Sequence, residues 1–205
     1  ISNVEFNFKY SDETNIGNYK TDKNGIINIS NLLPGKVIVT EIKTQSQYVL
    51  DSSKKELTLK YNENAELEIT NEKIKGKIKI IKTSEDDNLI TGDKSGTPLK
   101  NVEFKIYDSN GKLVDTISTD SKGIAITKAL PKGSYSIKET KTQTSYVSNS
   151  SKFTAEISNN GQIVEVQIKN KSQTPPPPVE EPKVEKPKIE KPKIEEPPKL
   201  PVTGY

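Results

Sequence analysis

Residues 119–146 read TDSKGIAITKALPKGSYSIKETKTQTSY, and their pattern is the clearest indication of the fold class. Between 134 and 140 the chain alternates, with Tyr135, Ile137 and Glu139 falling on one side. A period of two is typical of a strand with one face turned to a core. The preceding DSKG is typical of a tight turn, since glycine readily adopts the backbone conformations that such turns need. The stretch therefore predicts short strands joined by turns.

The same alternation extends in both directions from this stretch. It recurs at 76–83, 103–107 and 163–170, and turn-forming sequences such as DSNG and NNG separate these segments. No segment keeps a 3.6-residue apolar period long enough for a helix. Strands at this spacing, without helical crossovers, predict an all-β protein built as an antiparallel sandwich.

The sequence contains an internal repeat. NVEF at 3–6 recurs at 101–104, and several further fragments follow at nearly the same offset. We predict two copies of one domain: a first repeat at 1–72 and a second repeat at 76–171. The second repeat has about 25 residues ahead of its NVEF and the first has two, so we expect the first repeat to be truncated at its N-terminus.

Composition excludes several classes of function. The 205 residues include 31 basic residues, all lysine, and no cysteine or histidine. Thiolate nucleophiles, zinc fingers and Ser-His-Asp triads are therefore excluded, and we expect no cofactor and no metal. The net charge of +3 is spread among 28 acidic residues, which argues against nucleic acid as a partner. With 30% apolar residues the core is thin, and no disulfide can reinforce it.

In each of three predicted strands, the apolar residues that face inward are followed on the same face by a polar residue. These residues are Lys82, Glu139 and Asn170, and the first repeat has Glu41 and Asn71 at the positions equivalent to the last two. One such residue would suggest only that a strand end reaches the surface. Three in one repeat and two in the other favour a shared chemical role.

We predict that this role is a covalent cross-link. A buried lysine loses the solvation that favours its charge, and its neutral amine is a nucleophile. A buried carboxyl, Glu139, would stay protonated, hydrogen-bond the Asn170 carbonyl and shuttle protons. Attack of Lys82 on the Asn170 side chain would expel ammonia and leave an isopeptide bond. We expect no enzyme activity beyond this single-turnover self-cross-linking.

These residues resemble the Cna-B-type (SpaA-like, prealbumin-like) repeat domains of Gram-positive surface adhesins and pilins. The resemblance rests on 119–146, with IKIIKT before it and VQIKNK after it. It implies two tandem Greek-key β-sandwich domains. It also implies a lysine near the end of the first strand, a glutamate after the LPxGxY turn and an asparagine on the last strand, at Lys82, Glu139 and Asn170.

The carboxyl-terminal part has a different composition. Ten of the 13 prolines fall in the last 31 residues, where PKVEK, PKIEK and PKIEE follow one another. Isolated aliphatic residues among lysine and glutamate cannot form a core, so we predict an extended, polyproline-like, wall-spanning spacer at 172–199. A flexible linker or an SH3-type ligand is the alternative.

Near its carboxyl end the chain has the sorting motif LPxTG at 200–204, which comprises Leu200, Pro201, Val202, Thr203 and Gly204. The resemblance implies that sortase cleaves after Thr203 and joins its carboxyl to an amine of peptidoglycan. No signal peptide or apolar run of membrane-spanning length is visible. We expect the sequence to be truncated at both ends.

Together these features predict the structural stalk of a secreted, cell-wall-anchored adhesin on a Gram-positive surface. Upstream domains would bind a host extracellular-matrix or cell-surface ligand. The alternatives are a pilin subunit polymerised by sortase, or repeats that bind a host ligand directly. A calcium loop around Asp86, Asp87, Asn88 and Asp93 is a weaker interpretation than a solvated turn.

Overall fold

A computed structural model describes residues 1–175, which form twelve β-strands and no helix. The strands are β1 Glu5–Tyr10, β2 Asn15–Lys20, β3 Gly35–Lys43, β4 Lys55–Leu59, β5 Lys75–Ser84, β6 Glu103–Tyr107, β7 Leu113–Ser118, β8 Ile124–Ile126, β9 Leu130–Pro131, β10 Gly133–Lys141, β11 Phe153–Ile157 and β12 Ile163–Asn170. The all-β prediction is confirmed. Within the described residues no helix could cross a bilayer. Most of the spacer and the whole LPVTG motif lie outside them.

The second repeat is a two-sheet sandwich. One sheet has the strand order β11-β10-β6-β7, and the other has the order β12-β5-β8 with β9 paired to β5. Inward side chains of both sheets form one buried cluster, which includes Ile78 and Ile80 of β5, Phe104 and Ile106 of β6, and Ile137 of β10. Burial of each such side chain stabilises the fold by about 1.5–3 kcal/mol.

Alternation along β5 explains how a lysine enters this core. Ile78, Ile80 and Lys82 are fully buried on the inward face, whereas Lys77 and Lys79 point to the other side. β5 lies between β12 and β8, so its backbone is paired on both edges. The register is therefore fixed, and a shift by one residue would turn the whole inward row to solvent.

The pairing direction of β5 and β12 differs from the antiparallel arrangement that the sequence predicts. The two strands are parallel, with Lys82 opposite Ile168 and Ser84 opposite Asn170. A period-two pattern assigns side chains to faces but contains no information on strand direction. Because β5 and β12 are the first and last strands of the repeat, no hairpin forces them to be antiparallel.

The first repeat has one sheet of order β2-β1-β3-β4. Alternation at 65–71 places Ala65, Leu67, Ile69 and Asn71 on one face and so predicts a further strand. This prediction is wrong, because no strand lies between 61 and 72. In the second repeat the last strand pairs with β5. The described residues of the first repeat contain no counterpart of β5, so the backbone there has no ladder partner.

The two repeats meet at Ile74, directly before β5. Its amide donates to the carbonyl of Gln47 at 2.9 Å, and its carbonyl accepts from the amide of Lys132 at 3.0 Å. The Lys132 ammonium also donates to the Ser46 carbonyl at 3.0 Å. One residue therefore bonds to the first repeat through its N–H and to the second through its C=O.

Candidate functional site

Three strands bring the predicted site residues together inside the second repeat. Lys82 comes from β5 and Asn170 from β12, in the same sheet, and Glu139 comes from β10 in the facing sheet. Their exposed fractions are 0%, 1% and 4% respectively. The polar ends of the three inward rows therefore form one cluster shielded from solvent.

The Lys82 amine contacts both partners. Its Nζ donates a hydrogen bond to Oδ1 of Asn170 and lies 3.1 Å from Oε2 of Glu139. Burial lowers the pKa of Lys82, and the negative charge of Glu139 opposes this shift. The neutral form of the Lys82 amine is therefore more favoured in this site than it would be for a lysine in water. A neutral amine has a lone pair available for attack.

The two oxygens of Glu139 face different groups. Oε1 accepts hydrogen bonds from Nδ2 of Asn170 at 2.8 Å, from Oγ of Ser148 at 3.1 Å and from the amide of Asn149 at 3.1 Å. Oε2 has no hydrogen-bond partner within the described chain, and it faces the Lys82 amine. The carboxyl group therefore lies between the amine and the amide nitrogen.

The orientation of the Asn170 amide differs from the expected one. We expected Glu139 to contact the carbonyl oxygen, but that oxygen faces Lys82, and Glu139 contacts the nitrogen instead. The reason is that a lysine amine acts here as donor and a carboxylate acts as acceptor, so the amide turns its oxygen to the first and its NH₂ to the second.

Sequence reasoning missed Thr142, whose Oγ1 accepts the second hydrogen bond of Asn170 Nδ2 at 2.9 Å. Thr142 follows the last residue of β10, where the alternation that assigns faces has stopped. The one signal that could have found it is the KTQ triplet, which occurs at 43–45 and again at 141–143.

The first repeat has the acid and the amide without the amine. Glu41 is buried, and both of its oxygens accept from Nδ2 of Asn71 at 2.8 Å. The amide of Asp51 donates to Oε2 at 3.1 Å. No lysine amine among residues 1–175 lies within 4.0 Å of Glu41. Thr44, equivalent to Thr142, has a buried hydroxyl with no partner in the described part.

The acidic residues of loop 86–93 act as hydrogen-bond acceptors for the protein itself. Asp86 accepts from the amide of Ser172 at 2.8 Å, and Asp93 accepts from the hydroxyl of Tyr146 at 2.9 Å. Within residues 1–175 no group of three or more His, Cys, Asp or Glu side chains is arranged to hold a metal ion. The first contact attaches the loop to the segment that follows β12, and the second attaches it to the segment that follows β10.

A comparison with known families agrees with the all-β fold. The model of the SpaA family, described as a prealbumin-like fold domain, matches residues 1–73 and 76–172. The chain belongs to this family. The resemblance predicted from the sequence is thereby confirmed, and the SpaA fold is that of a structural domain rather than of a known class of enzymes.

Three similar proteins each match part of this chain and a smaller part of their own length. The solved Bacillus anthracis TIE protein is 35% identical with a TM-score of 0.72, over 84% of this chain and 31% of that one. The Trypsin-resistant surface T6 protein of Streptococcus pyogenes is 37% identical over 59 residues, 29% of this chain and 11% of that protein. The Collagen adhesin of Staphylococcus aureus is 37% identical over 84 residues, 38% and 6% respectively. The matches span about a tenth or less of the two curated relatives.

Proposed function

We propose that this chain is part of the stalk of a sortase-anchored Gram-positive surface protein, and that an isopeptide bond between Lys82 and Asn170 closes its second repeat. The observation that carries the proposal is the buried contact of Lys82 with Asn170 and Glu139. An unreacted buried ion pair of this kind stabilises a fold little, because desolvation of the charges offsets their attraction. A chemical role accounts better for a lysine in a thin core.

The reaction proceeds in balanced steps. A proton moves from Nζ of Lys82 to Oε2 of Glu139 over their 3.1 Å separation, which leaves a neutral amine and a carboxylic acid. The amine attacks Cγ of Asn170 and forms the new C–N bond. Glu139 protonates Nδ2, the bond from Cγ to Nδ2 breaks, and ammonia leaves. The carboxylate then takes one of the two protons on the attacking nitrogen and ends as the acid, and the new amide keeps one N–H.

The bond would join the first and last strands of the repeat. Lys82 and Asn170 are 88 positions apart in the chain, and a cross-link over this separation restrains the unfolded state by about 4–5 kcal/mol on a chain-entropy model. It also covalently connects the strand through which the chain enters the repeat to the strand through which it leaves.

Anchoring belongs to the same proposal. LPVTG at 200–204 matches the substrate motif of sortase, which would couple Thr203 to peptidoglycan. The names of two relatives, a surface protein and a collagen adhesin, support a place on the outside of a Gram-positive cell. On this proposal the two repeats carry an adhesive region for a host ligand at a distance from the wall.

Intact mass of the purified chain tests the bond. We expect the mass to be about 17 Da below that of the sequence, because one ammonia is lost per bond. Lys82→Ala and Asn170→Ala each remove a reacting group, and Glu139→Gln removes the proton shuttle. All three variants should have full mass.

Lys79→Ala is the matched control for this experiment. Lys79 lies on the same strand with its side chain on the opposite face, paired to Glu165 at 2.7 Å. Its removal should leave the deficit unchanged, and tryptic mapping should recover Lys82 and Asn170 in one branched peptide. Full mass in the unsubstituted chain, or a deficit that survives Lys82→Ala, would contradict the proposal.

A further inference from the structure

We propose that Thr142 is a positioning residue for bond formation in the second repeat. Its hydroxyl holds the side-chain amide of Asn170 at the rotation in which the carbonyl oxygen faces Lys82 and the nitrogen faces Glu139. The inference rests on the proposed function, since it concerns the rate of the same reaction. Thr142 contacts the amide nitrogen, which departs, and does not contact the attacking amine.

The contacts of the amide show why rotation matters. The last torsion of an asparagine side chain is broad and roughly two-fold, so the chain itself does not fix the amide plane. Here every polar position of the amide is used: Oδ1 accepts from Lys82, and Nδ2 donates to Glu139 at 2.8 Å and to Thr142 at 2.9 Å. Turning the amide by half a rotation would place oxygen against carboxylate oxygen and nitrogen against the amine.

Among the three partners, Thr142 is the one whose bonding stays constant. Lys82 loses protons and becomes an amide during the reaction, and Glu139 alternates between carboxylate and acid. The hydroxyl of Thr142 keeps an acceptor lone pair at every stage. It therefore keeps the nitrogen in place while the hydrogen bonds to the other two residues change.

The first repeat shows the equivalent amide where the lysine partner is missing. Nδ2 of Asn71 donates to both oxygens of Glu41 at 2.8 Å, and the hydroxyl of Thr44 stays buried without a partner. A buried hydroxyl without a hydrogen bond is costly. Threonine is nevertheless present at both equivalent positions, whereas Ser148, the other hydroxyl of the site, is replaced by Leu50 in the first repeat.

A time course of bond formation tests the inference. The full chain is made by cell-free translation, samples are stopped with acid, and the fraction with the ammonia deficit is read by intact mass. Thr142→Val keeps the shape and removes the acceptor, so we expect bond formation to slow about tenfold, the effect of one lost hydrogen bond. Thr142→Ser restores the acceptor and should recover most of the rate.

Two further measurements separate positioning from other effects. Thr44→Val is the same substitution at the equivalent place in the first repeat and should leave the rate unchanged. Across a pH series, Thr142→Val should lower the rate by one common factor without moving its midpoint, because the residue does not titrate. A shifted midpoint, or equal rates for valine and threonine, would overturn the inference. A chain with no ammonia deficit would overturn the proposed function as well.

Discussion

At the scale of single residues, the buried amine of Lys82 contributes to the pH dependence of stability in a chain without the proposed bond. Burial lowers its pKa from the usual 10.5. Between the folded and unfolded pKa values the unfolded chain binds one more proton than the folded chain. Stability therefore rises with pH across this window and stops rising above 10.5. We expect an unbonded variant that keeps Lys82 to gain stability as pH rises from the lowered pKa towards 10.5.

The comparison that isolates this effect uses two unbonded proteins, Asn170→Ala and Asn170→Ala with Lys82→Met. Methionine fills a similar volume and carries no charge. In urea unfolding at increasing pH, the free energy of unfolding of Asn170→Ala should rise relative to that of the double variant. If the difference between the two unfolding free energies stays constant with pH, Lys82 has the same pKa in the folded and unfolded states, which contradicts the prediction.

The sequence predicted the residues of this site as far as local pattern allows. Alternation places Lys82, Glu139 and Asn170 on inward faces because the face of a strand residue depends only on its neighbours. The hydrogen bonds of the Asn170 amide could not be predicted in this way. They depend on Thr142, which comes from a loop, and on where a donor and an acceptor lie across the core.

At the scale of elements, the turn before β8 controls the position of the strand that carries the lysine. Gly123 has a φ of +71°, and a Cβ there would lie 2.3 Å from the carbonyl oxygen of Lys82. Gly123→Ala should cost about 1–2 kcal/mol for the left-handed conformation and about 1–3 kcal/mol more for displacing β5. We also expect slower bond formation, because the displaced backbone is that of Lys82.

Gly111→Ala provides the control for this prediction. Gly111 has a similar φ of +77°, but nothing lies within 4 Å of an added Cβ. It should therefore show only the conformational cost. Urea unfolding in a Lys82→Ala background gives the two stabilities, and the mass time course gives the two rates. Equal losses of stability in Gly123→Ala and Gly111→Ala would mean that the added methyl group at 123 does not displace β5.

Elements were predictable where their sequence signal is local. β6 and β12 have the bounds that the alternation predicts, and β10 extends by one residue at each end. The parallel direction of β5 and β12 and the missing strand between 61 and 72 were not predictable. Both depend on which strand lies alongside, and a hydrophobic pattern in one segment does not identify its neighbour.

At the scale of the whole molecule, the proposed bond determines how the second repeat responds to a pulling force. Force that enters along β5 would cross from Lys82 to Asn170 and leave the chain between them unloaded. We expect the bonded repeat not to lengthen in a single-molecule pulling experiment. In Lys82→Ala the chain between residues 82 and 170, a separation of 88 positions, should unfold under force and reach about 300 Å when fully extended. Lys79→Ala should behave like the unsubstituted chain, and a release of that length from it would contradict the bond.

On a cell surface, as proposed, the two backbone hydrogen bonds of Ile74 would have a consequence under flow. Its two groups are tied to opposite neighbours, so swivelling at this point means breaking a hydrogen bond on one side. Sideways drag on one repeat would then exert a torque on the next repeat, whereas a flexible linker would let the first repeat rotate alone.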